Sequence, residues 1–473
     1  MLFCSERFLL FFLVVFVAYW AISAARFRVW LLLGASIFFY ASWNEWLTGL
    51  VCFSALADYL IGRGLDASRS QSVRRLLLGV SLAGNLSVLG YLKYANFFLD
   101  SLRDTLQMLG AEPSLPILSV ILPLGISFYT FEAISYTVDV YQRRIPAERR
   151  LENFLLFILF FPHLIAGPIV RARDFLPQVE RRKHWQWSRL NLGARFFLLG
   201  MFKKMAIADS MAALADPIFA APEQFHTGAL WMAAIAWVIQ VYCDFSGYSD
   251  MAVGLAHMLG YKLVQNFNMP YLATSVAEFW RRWHISLSSW LRDYVYIPLG
   301  GSRGTPWQTK RNLLITMTLA GLWHGANWSY VIFGVLQGLL LIGHRSFQQY
   351  CQRRAPLSNF LQTLPGTALR IGITFATISV TLVIFRAPTL AAAGTMLTGM
   401  FSPQDGLSAQ HLGMFAACAA LMALCHLLAP WQDWKKMFAA LPSPVRGVGY
   451  AIALSSALLL SPFVSKAFIY FQF

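Results

Sequence analysis

The stretch LLITMTLAGLWHGANWSYVIFGVLQGLLLIG, Leu313 to Gly343, decides how this chain is read. It holds no Lys, Arg, Asp or Glu, and it is bounded by Lys310 and Arg311 on one side and by His344 and Arg345 on the other. A hydrocarbon layer is about 30 Å thick, so the run is long enough to cross it and too long for one straight crossing without strong tilt. A break is expected, and Gly325 is the natural place for it. Directly before that glycine stands His324, followed by Asn327 and Tyr330. At about 1.5 Å per residue, His324 sits roughly 20 Å along from Arg311, deep in the apolar layer. An imidazole there is costly unless it is paired or faces a cavity. A satisfied core histidine is the plain reading, and a functional one is the alternative.

The rest of the chain has the same character. Of 473 residues, 57% are hydrophobic and only 13% charged, with a mean hydropathy of +0.54. This predicts an all-α polytopic membrane protein with about ten to thirteen transmembrane or re-entrant helices. The net charge of +16 would suggest nucleic acid in a soluble protein. Here it reads instead as basic loops that orient the spans and meet anionic headgroups of the lipid bilayer, and no nucleic-acid partner is expected. A basic surface can also receive an acidic donor such as a CoA thioester, though charge alone does not show it. The six cysteines form no CxxC pair; with no HExxH, P-loop or GxSxG either, neither a metal site nor a disulfide framework is expected.

Taken in order, apolar runs at 8–22, 29–43, 47–61 and 76–94 read as spans, the first uncleaved. Arginines follow the first and third runs, which puts the N-terminus outside and the 63–75 loop in the cytoplasm. Residues 95–110 read as an amphipathic surface helix. A fifth span covers Leu115–Tyr141 and carries Glu132 and Asp139 on roughly one face. The run FLLFILFFPHLIAGPIV, Phe154–Val170, is interrupted by Pro162, Gly167 and Pro168 and reads as a segment that dips in and returns, with His163 inside it. Further helices are expected at 190–205 and 228–254, the latter holding Asp244, Tyr248 and Asp250. C-terminal spans are expected near 366–385, 411–429 and 446–464.

The densest polar cluster is EFWRRWHISLSSWLRDYVYIPLGG, Glu278–Gly301. Phe279, Trp283, Leu287, Trp290, Leu291 and Tyr294 recur at steps of three or four, which predicts one apolar helical face. The other face carries Arg281, His284, Ser288 and Arg292, with Glu278 pairing Arg281 or Arg282 and Asp293 pairing a nearby arginine. For most of these residues an interfacial helix is the simpler reading. His284 is the exception, because its face can turn inward. Asp244 with Asp250, or Glu132 with Asp139, reads either as a proton relay or as a brace paired to basic residues.

WHISLSSWLRDYVYIPLGG, followed about 40 residues after its histidine by GLWHGANW, resembles the membrane-bound O-acyltransferase family. The branch it is most similar to is the bacterial one of alginate and cellulose acetylation, with teichoic acid D-alanyl transfer as a cousin. LPLGISFYTFEAISYTVDVY, FFPHLIAGPIVR, YCDFSGYSDMAVG and NFNMPYLATSVAEFWRRW look like that branch too, so the likeness runs to about Arg345. It implies a single integral membrane domain, 1–473, of helices and re-entrant segments around a central tunnel. Within it lie N-terminal spans 1–110, a catalytic core 111–345 and C-terminal spans 346–473. It further implies that His324 is the catalytic histidine and that His284 fills a second characteristic position. Trp323, Asn327, Arg281, Arg282, Ser288, Trp290, Arg292, Asp293, Tyr248, Asp250 and His163 are then candidates for binding substrate or donor, or for lining the tunnel.

The chemistry suits those residue types. A neutral histidine can take the proton of a hydroxyl as it attacks a thioester carbonyl, and burial disfavours the charged imidazolium. His284, or a neighbouring Asn or Arg, would orient the substrate or stabilise the oxyanion. Without a serine elbow, direct transfer is expected over an acyl-serine intermediate. The expectation is an inner-membrane, multi-pass O-acetyltransferase with acetyl-CoA as donor substrate and no tightly bound cofactor. A periplasmic SGNH-like acetyltransferase subunit and the synthesis and export complex of the polysaccharide would be its partners. A D-alanyl or lipid acyltransferase is the alternative within the family, and a proton-coupled transporter the alternative outside it.

Overall fold

A backbone in hydrocarbon must satisfy its own polar groups, and helices do so within one segment. The structure, a computed structural model, describes residues 1–112, 114–429, 441–460 and 468–469. Among these there is no β-strand, only an isolated bridge between Phe225 and Leu407. Among the same described residues, four helical stretches are long and apolar enough to cross a membrane: Gln71–Met108, Thr227–Met258, Trp328–Gln352 and Leu364–Arg386. The chain forms two compact units, one of residues 1–197 with 251–264, the other of residues 198–250 with 265–473.

The first unit opens with α1 (Glu6–Ala21), α2 (Ala25–Ala41), α3 (Glu45–Ala67) and α4 (Gln71–Leu89). Phe8 and Tyr19 of α1 are fully buried, so the first apolar run is a packed helix of the unit. A π-turn at Gly90–Tyr94 carries α4 directly into α5 (Ala95–Met108). The expected surface helix is therefore the far end of a continuous 38-residue stretch. Arg74, expected in a basic loop at the headgroups, is instead 3% exposed. Its guanidinium donates to the carbonyls of Leu65 and of Tyr141, the latter at 2.6 Å, and so caps the ends of two helices whose last carbonyls lack partners of their own. Asp58 is held in the apolar interior by Ser81 Oγ at 2.6 Å and Asn85 Nδ2 at 2.8 Å.

The fifth span begins later than its apolar run suggests. Residues 114–125 are not helical, and α6 covers Ile126–Tyr141. Pro116 and Pro123 lack the N–H that a helix needs, and Gly125 has φ +73°. A side chain at Gly125 would run into the carbonyl of Leu164. The interruption expected near Pro162 is present: α7 (Leu151–Leu159) stops at Phe160, and α8 (Phe161–Leu164) is a single turn. Helices α9 (Ala172–Glu180) and α10 (Trp187–Phe202) follow.

In the second unit a π-turn, Lys203–Ala208, leads into α11 (Asp209–Ala220), and α12 (Thr227–Met258) contributes its residues up to Asp250. The segments α13 (Val276–Arg282) and α14 (Ile285–Leu291) are short. Then come α15 (Pro306–His324), α16 (Trp328–Gln352), α17 (Ala355–Gln362), α18 (Leu364–Arg386), α19 (Leu390–Phe401), α20 (Leu412–Leu428) and α21 (Ser443–Leu460). The end of the span expected at 446–464 lies outside the described residues.

Candidate active site

Both candidate histidines stand where a helix stops. α15 ends on His324, and Gly325 continues as extended backbone at φ −168°. Asn327 then caps α16, its Oδ1 accepting the Ser329 N–H at 2.9 Å while its Nδ2 donates to the Pro388 carbonyl at 3.3 Å. The expected bend is a full reversal. Gly321 meets Tyr330 and Gly334, Gly334 meets Met317 and Thr318, and Gly338 meets Leu314. These pairs recede from the turn in step, so α15 and α16 are antiparallel. Small residues let the two backbones touch. A side chain at Gly321 would overlap the Tyr330 carbonyl. His324 thus sits at the tip of a helical hairpin rather than midway along a span.

The Glu278–Gly301 stretch is not the single amphipathic helix its spacing predicts. α13 stops at Arg282, and His284 takes up the left-handed region at φ +43°, a conformation that costs a side-chain-bearing residue about 1–3 kcal/mol. What holds it is remote in sequence. The Ile285 N–H donates to the Asn266 carbonyl and the Asn268 N–H to the Arg282 carbonyl, each at 2.9 Å. Asn266 also places Oδ1 3.2 Å from His284 Nδ1, 3.3 Å from the Ser286 nitrogen and 2.9 Å from Ser286 Oγ. Its Nδ2 donates to Ser249 Oγ at 3.2 Å.

The two imidazoles come together inside a wall of rings. Their centroids are 6.4 Å apart. Phe245 lies edge-on to His284 at 4.7 Å and Phe385 to His324 at 5.2 Å. Trp323 touches both, at 5.7 Å from His284 and 5.0 Å from His324. His284 is 0% exposed and His324 4%. Gln337, fully buried on α16, accepts from Trp280 Nε1 at 3.1 Å and donates to Thr381 Oγ1 at 2.9 Å. It thereby ties α13, α16 and α18 around the pair. Asn266, Gln337, Phe245 and Phe385 were not among the expected site residues. Gln337 carried a sequence signal as a lone amide in an apolar run, and Phe245 and Asn266 lie within the stretches YCDFSGYSDMAVG and NFNMPYLATSVAEFWRRW that carried the family likeness.

The other candidates have different surroundings. Arg282 pairs with Glu278 at 2.8 Å, and Arg292 with Asp293 at 2.8 Å. Arg281 is exposed. Ser288 Oγ donates to the Trp283 carbonyl at 3.3 Å, across the helix break, and Trp290 packs on Tyr294 at 5.2 Å. Tyr248 stacks on Phe468 at 4.5 Å. Asp250 pairs with Lys203 at 2.6 Å. Lys204 holds Asp244 at 2.7 Å and Asp209 at 2.8 Å, and the second oxygen of Asp244 accepts the Ile469 N–H at 2.8 Å. His163 belongs to the first unit, with Nδ1 3.2 Å from Glu132 Oε1, an oxygen that also accepts the Val170 N–H at 2.9 Å. Asp139 pairs with Arg144 at 3.1 Å. The membrane acids are thus each paired, and they read as braces rather than as a relay. Among the described residues no group of His, Cys, Asp and Glu is arranged to hold a metal.

Comparison with known proteins supplies the chemistry. Residues 142–385 match the model of MBOAT, the membrane-bound O-acyltransferase family. The chain is 46% identical over 410 residues to the probable alginate O-acetylase AlgI of Azotobacter vinelandii, covering 86% of this chain and 79% of that protein. It is 40% identical over the full length of both chains to the protein of the same name in Pseudomonas putida. It is also 36% identical to the peptidoglycan O-acetyltransferase of Helicobacter pylori, covering 82% of this chain and 76% of that one. Likeness of this depth over most of the length, spanning both histidine segments, means that the chain belongs to the membrane-bound O-acyltransferase family and is a membrane O-acetyltransferase.

Proposed function

We propose that this protein moves an acetyl group from a cytoplasmic thioester, acetyl-CoA, towards hydroxyls of an exported polysaccharide such as alginate or cellulose. It acts in the bacterial inner membrane, with a periplasmic SGNH-like subunit and the polysaccharide export complex as partners. The observation that carries this reading is the buried pair His284 and His324, 6.4 Å apart and each at the end of a helix. At that separation one bound acceptor molecule reaches both rings.

His324 serves as general base. Its neutral imidazole takes the hydroxyl proton while the oxygen attacks the thioester carbonyl, a C–O bond forms and the C–S bond breaks. The proton then passes to the departing thiolate. The enclosing rings of Phe245, Trp323 and Phe385 keep water from competing for the acyl group. Relatives named for alginate acetylation support a glycan acceptor, and the peptidoglycan relative keeps a second glycan class open.

The test uses full-length protein in nanodiscs with acetyl-labelled acetyl-CoA, the periplasmic subunit and either alginate or cellulose oligosaccharides. Wild-type protein is expected to release CoA thiol and label the glycan, and His324→Ala to do neither. Undiminished transfer by the folded His324→Ala protein overturns the assignment. Transfer from a carrier-bound aminoacyl thioester, with none from acetyl-CoA, assigns the D-alanyl alternative instead.

A further inference from the structure

We propose that Asn266 is a positioning residue that fixes His284 in the tautomer with the proton on Nδ1, so that His284 presents a bare Nε2 and acts as a hydrogen-bond acceptor rather than an oxyanion donor. The inference rests on the functional reading above and decides a point it leaves open, namely which of two roles His284 fills.

The argument begins with the orientation of one amide. The backbone nitrogen of Ser286 stands 3.3 Å from one terminal atom of the Asn266 side chain. A peptide N–H only donates, so that atom is the oxygen. The same oxygen accepts from Ser286 Oγ at 2.9 Å, and the Nδ2 end donates to Ser249 Oγ at 3.2 Å. With the amide so oriented, the atom that faces His284 Nδ1 at 3.2 Å is an acceptor. Nδ1 must then carry the hydrogen, and in a neutral imidazole Nε2 holds the lone pair.

The backbone reinforces this. His284 can meet Asn266 only because its φ is +43°, and Ile285 N–H to Asn266 O at 2.9 Å locks that bend from the other side of the same residue. Asn266 is 2% exposed and His284 0%, so water does not compete for these hydrogen bonds. One asparagine therefore sets the position, ring orientation and tautomer of His284. An unprotonated Nε2 can accept a hydrogen bond from a neighbouring hydroxyl of the same glycan and so hold the attacking hydroxyl, whose own proton goes to His324, towards the acyl carbon. It has no hydrogen to offer a developing oxyanion, which must find its donors elsewhere.

The test combines spectroscopy with kinetics on the full-length protein in detergent. Histidine labelled with ¹⁵N reports the protonated and bare ring nitrogens directly, and subtraction of a His284→Gln spectrum assigns the signals. Wild-type protein is expected to show His284 protonated at Nδ1. Asn266→Leu, which keeps the volume and removes the acceptor, is expected to lose that signature and to drop kcat on the order of 10²-fold with KM for acetyl-CoA unchanged. Asn266→Asp, which keeps the acceptor oxygen, is expected to restore both relative to Leu. A wild-type His284 protonated at Nε2 overturns the proposal, as does an Asn266→Leu protein that keeps the Nδ1 signature. Should the Leu variant fail to fold, the wild-type and Asp spectra still decide. The spectra need no turnover, so a failed acetyl-transfer assay with His324→Ala counts against the functional reading alone.

Discussion

The α7–α8 break and the α13–α14 break each pair a buried histidine with a broken helix, and they are built differently. At the α7–α8 break, His163 faces a carboxylate, Glu132, which also binds the Val170 N–H. At the α13–α14 break, His284 faces an amide, Asn266, and its near neighbours are rings and a second histidine. A carboxyl oxygen that meets both an imidazole and a backbone N–H pins two segments together. An amide oxygen orients the ring and selects which of its nitrogens carries the hydrogen. The first arrangement suits holding the chain in place, and the second suits proton transfer.

That contrast can be broken at several points. The largest effect is expected from His324→Ala, with acetyl transfer falling by about 10²–10⁴-fold while the melting temperature of the detergent-solubilised protein hardly moves. His163→Ala should do the opposite. It leaves the buried carboxyl of Glu132, 1% exposed, without the imidazole it faces and should lower stability by about 1–3 kcal/mol, leaving the rate per folded molecule near wild type. A His163→Ala protein that melts normally and does not transfer acetyl would erase the distinction. Next comes Gly334→Val, which forces α15 and α16 apart; a loss of about 1–3 kcal/mol is expected, together with reduced kcat because His324 sits on that hairpin tip. Gln337→Leu leaves the Trp280 N–H unpartnered and should cost about 1–3 kcal/mol in thermal unfolding. Asn327→Ala, which removes a helix cap, should cost about 1 kcal/mol with little change in kcat.

His324 was legible in the sequence because it stands in a run without charge, and the turn after it because Gly325 and Asn327 follow. That the turn is a complete reversal was not legible: periodicity records which face is apolar, not whether the helix on the far side of a break continues or folds back. The Glu278–Gly301 stretch misled for a related reason. Its apolar spacing persists across Trp283 and His284, while the force that breaks the helix comes from Asn266 and Asn268, some 16 residues earlier in the chain. Arg74 misled in the opposite sense: a basic residue next to a span reads as headgroup-facing, but two helix ends with spare carbonyls drew it inside. The late start of α6 at Ile126 was foreshadowed by Pro116 and Pro123, whose missing N–H groups weigh more than the apolar composition around them.

The hydrogen bond from the Ile469 N–H to Asp244 also has a bearing on biogenesis. Asp244 sits in the middle of a membrane helix, and the group that completes its coordination is made 225 residues later. At about 5–20 residues per second, that interval lasts on the order of ten to forty seconds. Throughout it, Lys204, already synthesised, is the described cation that can pair with the carboxylate. A Lys204→Met change is therefore expected to show first as poor membrane integration and rapid quality-control turnover of the nascent chain, before any defect in the finished enzyme is measurable.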